Sequence, residues 1–457
     1  LASQYQYDRV PFRSAAVPHA DCRRIETIAR LFGLTAAPCA HARVLELGCG
    51  SAANLISLAV AHPRAHVVGC DLSERALASA RRTIDALGVS NVELRHADIC
   101  DVDDGWGAFD YVLCHDVFSW VAPRVRQKIL EILSRNLAAR GVAYVSYAVL
   151  PGWQLRGVVR DMVRHHTARN VDPGQAVERA RALLSLGAAA QDQQSGPYAE
   201  LMREEYYLFS AMSDEQVYHQ MTTPHHQPFY FHEFVDLIGG ADLQFLSDAD
   251  VTRLFGPREP AAVREFLDAL PRLEQQQYLD FLTNCLYRGA LVCHRDVEIR
   301  DRPDGAVLRD CWISLAPARA DLDAPDALIQ EALSSLEDTR PAFVACSDLP
   351  VSGSSPTAWL MDAYAARKID LMLSPPRISS RISDRPTVSP LVRLQAQDGE
   401  IVTNQKCEAV RLTDQARQVV TLLDGAHSGD DVAALVGEEI RSGRILRRLR
   451  DHALLVA

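Results

Sequence analysis

The chain has 457 residues, 48% of them apolar, and a formal charge of −11 at pH 7. That length can bury a large core and argues for roughly two to three domains, while the acidic balance argues against a general nucleic-acid binder. The eleven cysteines include no C-x-x-C pair and no Cys/His cluster at zinc spacing, so they read as reduced thiols in a cytoplasm-like compartment, with no metal site. No apolar run approaches the length of a bilayer span, and because the chain does not open on Met a removed leader stays open.

Residues 1–42 form an arm. Tyr5, Tyr7 and Phe12 make its start aromatic, and a helix is predicted over 21–32 with Ile25, Ile28, Ala29 and Phe32 on one face and Gly33 closing it. The arm either folds over a ligand as a lid or packs its aromatics onto the core. Residues 43–160 read as a Rossmann-like, doubly wound α/β sheet. Arg43-Val-Leu-Glu-Leu is a buried strand, followed by strands at 67–71, 91–98, 109–114 and 141–147. Between them lie a helix capped by Ser73 and stopped by Gly88 and a second one over 121–137.

The first strand turns at once into Gly48-Cys-Gly50-Ser-Ala-Ala-Asn54, where glycine permits a tight bend and close approach of a ligand to backbone amides. Alone, Gly48-x-Gly50-x-x-Ala53 is a loose dinucleotide fingerprint. Three acids at successive strand ends, Glu46, Asp71 and Asp98, sharpen it. Asp71 stands about twenty residues past the loop, where such folds place an acceptor for ribose hydroxyls. An acid-rich pocket suits a cation and would repel a diphosphate. Beyond the fourth strand comes His115-Asp116-Val-Phe118-Ser-Trp120, at the sheet edge where ligands of such folds sit.

This constellation resembles the class I S-adenosylmethionine-dependent methyltransferases. The resemblance implies that the Gly48–Gly50 turn lies under the methionine moiety, that Asp71 takes the ribose hydroxyls and that Asp98 with the Ile99 amide reads the adenine edge. The whole expected cofactor set is Tyr7, Glu46, Gly48, Cys49, Gly50, Asn54, Asp71, Leu72, Asp98, Ile99 and His115, with S-adenosylhomocysteine as product. Asp116, His115 and Tyr147 are the candidate catalytic residues, Asp116 orienting or desolvating an amine nucleophile and His115 serving as a base or cofactor contact. An N-cap role competes for Asp116. Phe118, Trp120 and Trp153 are the candidate acceptor wall, with core packing slightly favoured for Phe118 and Trp120.

With Phe118-Ser-Trp120 and Pro151-Gly-Trp153 added, the chain looks like the bacterial methyltransferases that carry a methyltransferase regulatory domain. That group includes the rickettsial enzymes that methylate lysines of outer-membrane protein. The resemblance implies a protein lysine acceptor. The chain departs from the group's pattern at Ala148, Leu150 and Gln154, and a small-molecule methyltransferase and a non-catalytic cofactor-binding adaptor are the alternatives.

Residues 161–210 are a helical insertion and a possible homodimer contact, with helices at 176–186 and 198–209 about a hinge at 191–197. His165-His166 and His225-His226 are adjacent pairs pointing to different sides, so neither reads as a metal site. Residues 211–300 look like the family's regulatory domain, a middle α+β unit with a helix ending near 239–240, a short strand at 243–246 and a helix over 276–287. Its Tyr230, Phe231 and Phe234 fit a small core better than an acceptor wall. Residues 301–375 read as linker, at 347–356 above all, and a helix over 357–372. Residues 376–457 suggest a winged-helix-like module: a hairpin turning at Asp398-Gly399, then helices at 413–423 and 430–436. Arg441, Arg444, Arg447, Arg448 and Arg450 make its end basic, as a solvated face or a docking surface for an acidic protein in preference to DNA.

Overall fold

A computed structural model describes residues 6–12, 14–167, 172–253, 260–316, 327–349, 354–436 and 443–457. Tyr5, Arg441 and residues 350–353 of the expected linker lie outside the described residues. The arm supplies α1 (Gln6–Arg9) and α2 (Cys22–Leu31). The sheet follows with β1 (Arg43–Leu47), α3 (Ala53–Ala61), β2 (His66–Asp71), α4 (Glu74–Leu87), β3 (Val92–His96), β4 (Phe109–Cys114), α5 (Pro123–Asn136) and β5 (Leu137–Ala148). α4 ends as its sequence dictates: Ser73 Oγ accepts from Ala76 N, and Gly88 takes a left-handed φ of 63° at the C-cap.

A helical group comes next: α6 (Gly152–Thr167), α7 (Pro173–Ala190), α8 (Pro197–Ser210) and α9 (Asp214–Thr222), closed around Val159, Ala180, Leu184, Met202 and Phe209. Then come α10 (Phe231–Gly239), β6 (Leu243–Asp248), α11 (Ala261–Asp268), α12 (Arg272–Thr283) and β7 (Tyr287–His294). The seven strands run β3-β2-β1-β4-β5-β7-β6; β1 to β5 are parallel, and β7 and β6 are antiparallel additions. Successive residues alternate between two apolar cores, Val44 and Tyr144 on one face, Leu45 and Val145 on the other.

Four expectations are corrected. The helix placed over 276–287 stops at Thr283, where Asn284 adopts a left-handed cap, and Tyr287 opens a strand. Among the described residues of 211–300 both strands, β6 and β7, therefore complete the central sheet. The described residues of 301–375 are folded: β8 (Trp312–Leu315), α13 (Ala327–Thr339), β9 (Val344–Ala345), α14 (Ser354–Ala365) and β10 (Ile369–Met372) form a three-stranded layer that joins the same core as α2. The segment before Asp398 is α15 (Pro390–Asp398), capped by Ser389, and the hairpin is β11 (Ile401–Thr403) with β12 (Ala409–Arg411). α16 (Asp414–Leu422), α17 (Gly429–Val436) and α18 (Arg444–Asp451) complete the C-terminal module around Val392, Val419 and Leu449. Lastly, Cys22 and Cys39 form a disulfide, so not all thiols are free; the two meet only because α2 packs against the turn before β1. Among the described residues no helix is long and apolar enough to cross a membrane.

Candidate active site

The cleft opens where β1, β2 and β4 end. Gly48, at φ 68°, and Cys49 both donate their amides to Cys70 O, which folds the loop across β2. A Cβ on Gly48 would lie 2.7 Å from Val117 Cγ2, so the loop is pressed against the chain leaving β4. Gly50, at φ 54°, donates its amide to Asp71 Oδ2 at 2.8 Å, and Ser73 N donates to Asp71 Oδ1 at 2.7 Å. Burial raises the Asp71 pKa, with these two amides opposing the rise. Glu46 is fully enclosed. Asn54 Nδ2 donates to its Oε1 at 2.7 Å, its Oε2 is buried without a partner, and burial pushes its carboxyl up to about 8.

The arm closes over this loop. Ser14 Oγ lies 2.6 Å from Ser51 Oγ, and Val17 N donates to Asn54 Oδ1. Asp8 accepts from Ser73 Oγ at 2.7 Å. Tyr7 stacks on His219 of α9 at 4.1 Å between ring centres, and His219 Nε2 binds Val10 O at 2.7 Å. Arm, loop and α9 thus form one lid-like layer. Next along the edge, Leu72 is exposed, and Asp98 accepts from Cys100 N to cap the turn in which Ile99 buries its side chain.

At the end of β4, Asp116 takes a φ of 55°, uncommon for a residue with a Cβ. Its amide donates to Ser146 Oγ at 2.6 Å, and its Oδ1 accepts from Trp120 Nε1 at 2.9 Å. The N-cap reading of Asp116 is excluded, because α5 starts at Pro123 behind Ala122. His115 Nδ1 lies 3.2 Å from Tyr144 Oη and 3.3 Å from Ser146 Oγ, and burial lowers its pKa, which keeps the ring neutral.

Beside Asp116 stands an aromatic cage. Trp120 and Trp153 meet edge to face at 5.6 Å, His226 lies 4.4 Å from Trp120 and 4.2 Å from Trp153, and Tyr287 meets Trp153 at 5.7 Å. Burial and the charges of Arg160, Arg156 and Arg164 push His226 down to about 3, so it too is neutral. The phenols of Tyr7 and Tyr287 are both raised, by burial first and then by the negative charge of Asp116. Asp116 therefore faces the glycine loop on one side and the cage on the other.

Comparison with known proteins places the domains and the fold. A methyltransferase domain matches residues 44–141, a methyltransferase regulatory domain 213–294 and the PKMT C-terminal winged helix domain 384–453. RP789 of Rickettsia prowazekii, an uncharacterized protein, is 36% identical over 300 residues, 65% of this chain and 54% of RP789. RP028 of the same organism, also uncharacterized, is 33% identical over 234 residues, 51% of this chain and 94% of RP028. The chain belongs to this family of S-adenosylmethionine-dependent methyltransferases. The fold agrees along its length with PKMT2 of Rickettsia typhi, solved alone and in complex with AdoHcy, at a TM-score of 0.85 and 24% identity, covering 98% of this chain and 100% of that one.

Within this methyltransferase, Tyr7, Glu46, Gly48, Gly50, Asn54, Asp71, Leu72, Asp98 and Ile99 gather at one sheet edge, with His115, Asp116 and Trp120 beside them. Cys49 contributes its backbone only, since its Sγ is packed beneath Gly69. Three candidates are corrected. Trp153 is 1% exposed and packs against Trp120, His226 and Tyr287, which makes it backing for those rings and not itself an acceptor wall. Tyr147 is buried against Phe234 and Phe229 in the core, its hydroxyl enclosed without a partner. Phe118 is 0% exposed and packs on the same two rings, which makes it core and not acceptor wall. Phe231 and Phe234 are core as well. Sequence reasoning missed His219, His226, Tyr287 and Ser146. The His225-His226 pair was the available signal, and its second member does stand among aromatic rings.

Proposed function

We propose that this chain binds S-adenosylmethionine at the glycine-loop end of the cleft and transfers its methyl group to the side-chain amine of a protein lysine. The residues present fit that cofactor. Asp71, already held by two amides, keeps lone pairs for hydroxyl groups, the orphaned Oε2 of Glu46 awaits a donor or a cation, and the bare Gly48 and Gly50 let Val117 and Ser14 close tightly on the loop. When bound, the cofactor supplies an electrophilic methyl on a cationic sulfur, and the chain has to present a lone pair in line with it.

The observation that carries the acceptor reading is the cage beside Asp116. The Trp120 indole, the Tyr287 phenol and the neutral His226 imidazole attract an ammonium without pairing it permanently, with the buried Trp153 packed behind them. Asp116 Oδ1 is anchored by Trp120, which leaves its other oxygen to hold an N–H of the incoming amine and draw off its proton. The rings exclude water from the approach. Ala148, one of the positions that keeps a small-molecule acceptor in play, is 0% exposed and so cannot contact any acceptor. The fold shared with PKMT2 of Rickettsia typhi, a protein solved in complex with AdoHcy, is in keeping with the cofactor half of the reading.

Transfer of labelled methyl from the cofactor into a lysate, separated into protein and small-molecule fractions, tests the reading. Label recovered as methyllysine after hydrolysis of the protein fraction supports it. Label in the small-molecule fraction alone, or cofactor binding without transfer, overturns it in favour of a small-molecule enzyme or an adaptor.

A further inference from the structure

The C-terminal module holds a cavity of about 410 Å³ between β12, the start of α16 and α18. Its floor is apolar, made by Leu412, Ile445 and Leu449, and its rim carries three exposed guanidiniums, Arg411, Arg444 and Arg448, of which Arg411 pairs with Glu400. Among the described residues no acidic side chain lines it. On a chain of net charge −11 this lining is locally basic.

The neighbouring hairpin is already engaged inside the molecule. Lys406, 2% exposed, places Nζ 2.7 Å from Asp370 Oδ2, and Arg23 Nη2 donates to Gln405 O at 3.0 Å. Its tip is thus sealed against α2 and β10 and cannot reach an outside partner, whereas the groove stays open. A duplex would present phosphates but nothing for the apolar floor. An acidic segment with interspersed large apolar side chains satisfies both rim and floor.

We propose that this groove docks an acidic, apolar-studded segment of the acceptor protein, while the lysine enters the acidic cleft at Asp116. As a docking site for the acceptor it rests on the protein-lysine reading; as a peptide site it does not. Two sites of opposite sign would orient the acceptor and raise its local concentration at the cleft.

Fluorescence anisotropy of a labelled peptide of alternating Glu and Leu, titrated with the full chain, reads the groove without any methyl transfer. Saturable binding is expected, weakened roughly tenfold or more by Arg448→Glu and less by Arg448→Ala, falling with added salt and falling again when Leu is replaced by Ser in the peptide. Circular dichroism of both variants checks their folding, and the salt and Ser-peptide arms need no variant. No binding by the unaltered chain, equal binding by a folded Arg448→Glu, or tighter binding of a duplex of equal charge would each overturn the proposal. Because the peptide carries no lysine, such a failure leaves the methyl-transfer reading standing, and failed methyl transfer leaves a peptide-binding groove standing.

Discussion

The two ends of the cleft are built in different ways. The cofactor end is local and made largely of backbone: within Glu46–Asn54 the turn sets two amides on Cys70 O and a third on Asp71, and only two further carboxylates are recruited from the next strand ends. The acceptor end is assembled from remote segments. Asp116 and Trp120 follow β4, Ser146 lies on β5, Trp153 opens α6, His226 follows α9 and Tyr287 starts β7. One end is a motif and the other is a meeting of side chains, so the first tolerates change around it and not in it, while the second depends on every element that delivers a ring.

The largest expected effect strikes the local end. Gly48→Ala forces a Cβ into Val117 and strains a left-handed φ, at roughly 2 kcal/mol or more. Cofactor binding measured by calorimetry should fall on the order of a hundredfold. Because Val117 adjoins Asp116, turnover at saturating cofactor should fall too; binding within a few-fold of the unaltered chain would show that the turn yields more than its geometry implies.

Asp116→Asn separates the ends. It keeps an oxygen for Trp120 Nε1 and the backbone bond to Ser146, yet removes the negative charge that faces the cage. Turnover should drop at least tenfold, toward the hundredfold loss common for a group that handles a proton, while cofactor affinity stays within a few-fold. Equal losses in both would mean that Asp116 belongs to the cofactor end.

This difference explains what could be read from the sequence. β1, the glycine loop, Asp71 and the α4 caps are each set by residues a few positions apart, so their pattern survives in one dimension. The aromatic cage has no such pattern, since Tyr287 and Trp153 come together only once β7 joins β5. The same lack hid β7 itself: Tyr287-Arg-Gly-Ala-Leu follows a helix with only Asn284 as its stop, and a left-handed Asn is a weaker signal than Gly. Phe118 packs in the core, the use slightly favoured for it from the sequence, while its neighbour Trp120 stays partly exposed beside Asp116, because a 3-10 turn over Phe118–Trp120 sends the two side chains to different surroundings. The three-stranded layer at 301–375 was unreadable for another reason. Its strands are short, its Pro- and Ser-rich connections look like linker, and its core is shared with α2 from the far end of the chain.

Glu46 offers a smaller and pH-dependent probe of the cofactor end. Its carboxyl titrates near 4.5 when solvated and is pushed up to about 8 in the folded chain by burial. Between these values the unfolded chain ionises the group and the folded chain does not, so stability declines as pH rises through that window. Glu46→Gln can keep the bond from Asn54 and abolishes the titration. The variant should melt alongside the unaltered chain near pH 4.5 and a few degrees above it near pH 8, with roughly 5 kcal/mol as the ceiling set by the two titration values. Thermal unfolding across that range checks the sign; a gap that closed with rising pH would contradict the buried, neutral carboxyl.

The smallest effect concerns Ala52, which holds a φ of 56° at the head of α3 with its methyl fully buried. A left-handed alanine costs about 1–2 kcal/mol that glycine avoids, whereas glycine at this position gives back roughly half to one kcal/mol through the freedom of the unfolded chain and also loses a buried methyl. The terms nearly cancel, so Ala52→Gly should change unfolding free energy by no more than about 1 kcal/mol in denaturant titration. Cofactor affinity should move by less than about threefold, equivalent to well under 1 kcal/mol, because the amides of Gly48, Cys49 and Gly50, not that of Ala52, set the turn against Cys70 and Asp71. A large gain in affinity would mean that the alanine tightens the turn as a whole, and the contrast between a backbone-built end and a side-chain-built end would then have to include the first turn of α3.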